Sequence, residues 1–137
     1  MWWIYALLSA AFAALTAIFA KIGIKGVDSD LATAIRTVII LIIAWAIALY
    51  KGSAENMGAL SKINWTFLVL SGCATGLSWI FYFKALQVGN VSQVAPVDKL
   101  SVALAILLSA IFLKDPITIK SASGALLIIA GTLVLIF

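Results

Sequence analysis

Five long apolar stretches, at residues 2–20, 31–50, 64–87, 92–113 and 117–137, constrain this chain more than any other feature. An α-helix rises ~1.5 Å per residue and the hydrocarbon of a bilayer is ~30 Å thick, so ~20 apolar residues make one crossing. Within lipid the backbone must satisfy its own hydrogen bonds, which leaves helices and closed barrels. A barrel strand alternates apolar and polar residues over ~10 positions. The run VIILII at 38–43 is continuously apolar, so the barrel is discarded. Composition agrees: of 137 residues 65% are hydrophobic and 10% charged, where a soluble domain carries about a quarter charged. A water-soluble enzyme is excluded. The fold expected is an all-α membrane protein of five transmembrane helices, forming a single domain over 1–137 with short loops and no room for a soluble domain.

The remaining composition narrows the chemistry. One cysteine and no histidine leave no Cys/His metal site and no histidine-based triad, so neither metal, cofactor nor enzymatic activity is expected. Nine glycines and two prolines exclude collagenous and low-complexity classes. The first segment has no basic region before its long apolar run, so it is expected to be a retained helix and not a signal peptide.

The loops carry helix punctuation. Asp30, Asn64 and Ser92 are expected to cap the second, third and fourth helices. Asp115 and Pro116 are expected to open the fifth, and Gly26, Gly52 and Gly89 sit where helices stop. Trp2, Trp3, Tyr5, Tyr50 and Trp65 lie near predicted interfaces, where amphipathic rings are favoured.

Five crossings put the two ends of the chain on opposite sides. One side then carries Lys51, Lys62, Lys114 and Lys120, the other Lys21, Lys25 and Lys84, with Arg36 added if it snorkels. A balance of four against three or four gives almost no orientation signal under the positive-inside rule. Either one strong loop fixes a single orientation, or copies insert both ways. The net charge of +4 comes from scattered interfacial lysines. It suits anionic lipid headgroups, and without a basic cluster no nucleic-acid partner is expected.

Three helices carry small and polar stripes at helical spacing: Tyr5, Ser9, Ala13 and Thr16 in the first; Ser71, Thr75, Ser78 and Tyr82, flanked by Gly72, Gly76 and Trp79, in the third; Asp98, Ser101, Ala105 and Ser109 in the fourth. Singly, such residues serve helix packing; together they can line a polar cavity. Gly72 and Gly76 form a small-xxx-small motif. Gly124 and Gly131, two turns apart, form a contact face in the fifth helix, expected as a packing face or dimer seam. The second helix is almost wholly aliphatic after Thr37 and is expected to face lipid.

A charge inside a membrane costs ~2.5–3.5 kcal/mol on insertion scales, so it needs a partner or a task. Asp98 is the acid deepest in a span. Its options are a basic partner, a bound proton, a cationic substrate, or a buried ion pair that fixes helix positions. Lys99 is rotated ~100° from it around the helix and need not pair with it. Lys84 is expected to snorkel, Lys99 either to snorkel or to face the cavity, and Arg36 to snorkel or bind loop carbonyls in a structural role. Pro96 either kinks the fourth helix or sits in its first turn.

From the third helix onward the motifs WIFYFKAL (79–86), VAPV (94–97), Lys114 with Asp115, and SGALLIIAG (123–131) follow in order, with Arg36 early in the second helix. In this order and spacing the chain resembles the EamA family of the drug/metabolite transporter superfamily. Asp115 stands where family members often have Glu, and the pair Asp98 and Lys99 is not a general family feature. Most members carry ten helices as two inverted five-helix repeats; the resemblance makes this chain one repeat. The four-helix small multidrug resistance relatives have an acid in their first helix that is missing here.

The resemblance implies a secondary transporter of small metabolites or drugs, located in a prokaryotic inner (plasma) membrane. Half of an inverted-repeat transporter must pair with an inverted copy, so an antiparallel homodimer is expected as the working partner. The cavity would be lined by Tyr5, Ser9, Thr16, Ser71, Thr75, Ser78, Trp79, Tyr82, Pro96, Asp98, Lys99 and Ser101. The alternative is a non-transporting membrane subunit or scaffold that requires a different partner protein.

Overall fold

The computed structural model describes residues 1–137 and is helical, with no strands. Its elements are α1 (Trp2–Gly23), α2 (Ser29–Tyr50), a 3-10 segment (Ser53–Ala59), α3 (Lys62–Val88), α4 (Val91–Asp98), α5 (Leu100–Leu108), a π-helical turn (Ser109–Leu113) and α6 (Ile119–Ile136). Five helical stretches are long and apolar enough to cross a membrane, with α4, α5 and the π turn forming one stretch, Val91–Leu113. The five expected spans are therefore present.

The helix ends differ from those expected. Asp28, not Asp30, caps α2, its carboxylate accepting from the backbone N–H groups of Asp30 (2.9 Å) and Leu31 (3.1 Å). Asp30 lies instead in the first turn, where an acid complements the helix dipole. α3 begins before Asn64, whose N–H donates to Ser61 Oγ at 3.2 Å. Asn90, not Ser92, precedes α4. α6 starts at Ile119 rather than at Pro116, because Thr118 and Ser121 satisfy each other's free backbone N–H groups in a capping box. Each substitute is a short polar side chain within a few residues of the expected one. The competing caps had equal chemistry, and backbone geometry chose between them.

Gly26 (φ 72°) and Gly52 (φ 68°) take the left-handed conformation at helix ends, which costs glycine nothing. The chain divides into two compact units, Met1–Phe19 with Val88–Phe137, and Ala20–Gln87. In the first, α4 and α5 pack on α6. In the second, the end of α3 is tied to its neighbours by polar contacts. The Lys21 ammonium donates to the Leu86 carbonyl, Gln87 Nε2 donates to the Val27 carbonyl at 2.9 Å, and Lys84 pairs with Asp30 at 3.3 Å. The first of these satisfies a carbonyl in the last turn of α3 that the helix leaves unbonded.

Few side chains are buried: Ala17, Ala20, Ile24, Phe83 and Leu86, with Ser29, Thr33 and Thr132. In water this would be no core at all. In a bilayer, lipid tails solvate exposed Ile and Leu as well as a protein interior does, and helix association relies on packing and hydrogen bonds. Threonines show the same adaptation. The hydroxyls of Thr16, Thr33, Thr37, Thr66, Thr75 and Thr132 each donate to the carbonyl four residues earlier, which satisfies a polar group where no water is present.

Candidate functional site

Charge enters the spans at two places. The first is in the unit Ala20–Gln87. Arg36 lies two turns into α2 and meets α3 at Trp79 and Phe83, which are four residues apart and so share a helix face. Its guanidinium carbon lies 4.4 Å from the Phe83 ring centroid and 5.6 Å from that of Trp79, within cation–π range. Phe83 is fully buried and meets Tyr82 edge-on at 6.2 Å. No loop carbonyl binds Arg36; aromatic faces hold it. Lys84 does not simply snorkel, since it pairs with Asp30. Both partners are about half exposed, so this pair contributes at most ~1 kcal/mol.

The second place is in the unit Met1–Phe19 with Val88–Phe137. α4 starts at Val91, so Pro96 lies inside the helix and the first-turn alternative is excluded. Proline cannot donate to the carbonyl four residues before it, and the span breaks two residues later. Lys99 separates α4 from α5, its N–H donating to Pro96 O at 3.0 Å. The Pro96 carbonyl also lies 3.2 Å from Thr132 Oγ1 of α6, whose one hydroxyl proton it shares with the nearer Ile128 carbonyl at 2.8 Å. At the break, Lys99 Nζ lies 3.2 Å from Asp98 Oδ2. Adjacent residues therefore do pair, the long lysine side chain reaching back across the ~100° offset of a helix. The pair is partly exposed in the single protomer.

The other stripe residues are distributed between the units. Tyr5, Ser9 and Thr16 lie with Pro96, Asp98, Lys99 and Ser101 in the first unit; Ser71, Thr75, Ser78, Trp79 and Tyr82 lie in the second. Thr16 and Thr75 spend their hydroxyl protons on their own helices (2.8 and 2.9 Å), so each can only accept from a ligand. At Gly72, Gly76, Gly124 and Gly131 an added Cβ would meet nothing within 4 Å. Within one protomer these glycines permit no close helix approach. A cavity of about 640 Å³ lies between α2, the 3-10 segment and α3, lined by apolar groups including Leu41, Trp45, Met57 and Leu68. None of the stripe residues lines it. α2 thus carries a cavity wall as well as lipid-facing aliphatics.

Phe83 and Thr132 had not been singled out from sequence. The signal for Phe83 was present: a ring four residues after Trp79, and an arginine in a neighbouring span in need of a partner. Thr132 gives no such signal, since its partner is a carbonyl freed by folding.

Five apolar helices of spanning length define an α-helical integral membrane protein. Over residues 1–137 the chain matches the model of the EamA-like transporter family and belongs to that family. It is 46% identical over 134 residues to a Sinorhizobium sp protein described as "Uncharacterized transporter in cobO 3'region", covering 98% of this chain and 95% of that protein. No solved structure matches. The family, the apolar helices and a bacterial relative support the inner membrane as its location.

Proposed function

We propose that this membrane transporter is a secondary carrier of small metabolites or drugs that works by alternating access as an antiparallel homodimer, each copy acting as one five-helix repeat. The observation that carries the reading is an odd number of spans with near-balanced cations: lysines 51, 62, 114 and 120 against 21, 25 and 84. A chain of this kind can insert both ways, and an inverted pair restores the symmetry of ten-helix relatives. The open space at Gly124 and Gly131 suits a seam with a second copy. The stripes of Tyr5, Ser9, Ser71, Ser78 and Ser101 are assigned to the cavity of the pair. Asp98 and Lys99 at the break of the fourth span are assigned to substrate charge or proton coupling. The family and the named relative favour transport over enzymatic activity.

A tag placed at each end in turn, probed in intact cells, should be found on both faces of the membrane. Each tag confined to one face would sink dual insertion. The purified chain reconstituted alone should carry solute; flux that appears only with a second, different protein would point to a subunit role.

A further inference from the structure

Arg36 is the single arginine of the chain, and part of its hydrogen-bonding capacity is unmet. Two ring faces hold the guanidinium, while the buried Nη1 has no hydrogen-bond partner. Ring faces attract the cation perpendicular to its plane but accept little from the N–H groups that lie in the plane. A guanidinium offers five such donors in a fork that matches an oxyanion bidentately. The acids near this end of α2 are committed: Asp28 caps the helix and Asp30 pairs with Lys84. About 10 Å along the α2 axis from its start, a cation thus lies against aromatic groups, Tyr82 among them, with no carboxylate paired to it and with one buried donor unmet.

From this we infer that Arg36, cradled by Trp79 and Phe83, is a binding site for the oxyanion, carboxylate or phosphate, of a small organic solute. The inference rests on the transport reading and gives it a substrate class: organic anions over neutral or cationic analogues. The rings fix the plane of the guanidinium beforehand, so the ligand need not order a long side chain. Lys21, Lys25 and Lys84 at the same end outnumber Asp28 and Asp30 and favour the approach of an anion.

A single arginine allows a test without mutation. Protein labelled with ¹⁵N-arginine, in phosphatidylcholine nanodiscs, should give one guanidinium Nε–H resonance. It should shift on titration with benzoate or phenylphosphonate and stay unmoved with benzamide, which is neutral and of the same shape. By calorimetry, Arg36→Gln should weaken benzoate binding tenfold or more, Arg36→Lys should recover part of it, and benzamide affinity should not change. Equal response to benzoate and benzamide overturns the inference. A shift that appears on replacing phosphatidylcholine by phosphatidylglycerol, and then blocks benzoate, assigns the site to a lipid headgroup and overturns it for the solute. Benzamide flux that persists while benzoate neither binds nor crosses removes the oxyanion site and leaves transport standing. A benzoate-dependent shift without flux of any solute does the reverse.

Discussion

Arg36 and the Asp98–Lys99 pair put charge into the membrane by opposite means. Arg36 sits in an unbroken helix and is held by neighbours on another helix, across the faces of two rings. Asp98 and Lys99 sit where a helix breaks and neutralise each other along the chain. The first arrangement leaves a net charge with free donors. The second leaves no net charge but a weak, partly exposed pair that can separate. A fixed unpaired cation is suited to selecting a solute, and a pair at a break is suited to changing state as a solute or proton arrives. On the proposed function, selectivity falls to one unit and coupling to the other.

The largest expected effect breaks the second half of that comparison. Asp98→Asn should reduce flux of every solute in liposomes by tenfold or more while crosslinking still reports a dimer. Full flux in this variant would remove Asp98 from the mechanism. Next comes the aromatic cradle. Phe83→Leu keeps most of the bulk but loses the ring nearest Arg36, so it should cost about 0.5–2 kcal/mol against unfolding in mixed micelles. Trp79→Leu should cost less, because its ring lies 5.6 Å away rather than 4.4 Å. The reverse order would show that packing, not the cation, sets the role of these rings.

Sequence resolved the spans and left the contacts between them open, for a physical reason. Crossing a bilayer is a local property of ~20 residues, so TAIRTVIILIIAWAIALY announces α2 without reference to any partner. Lys99 was legible as a charge but not as a partner of Asp98, because a helix offsets adjacent residues by ~100° and only the reach of the lysine side chain spans it. Arg36 was legible as an anomaly. Its destination depended on α3 arriving with the Trp79–Phe83 face toward it, which the sequence of α3 alone does not specify.

The break itself offers a smaller test. Thr132→Val keeps shape and removes the donor to Pro96 O. Interhelical hydrogen bonds in membranes average ~0.6 kcal/mol, so stability should fall by about that amount. The amides following Pro96 should exchange faster, since the carbonyl that anchors the break loses one of its donors. Unchanged exchange there would mean that Lys99 N–H alone holds the break.

The smallest effect expected is at the Asp30–Lys84 pair. A double-mutant cycle with Asp30→Asn and Lys84→Met should give a coupling of about 0.2–1 kcal/mol, since half-exposed ions already interact well with water and headgroups. The coupling should shrink further at high salt, because a pair open to solvent is screened. A coupling well above 1 kcal/mol that resists salt would place this pair out of water, as deep as Arg36. The acid could not then be treated as a surface group, and the free guanidinium would have a competing counter-charge within its own unit. That outcome would erase the contrast between an unpaired cation in α2 and a paired one at the break.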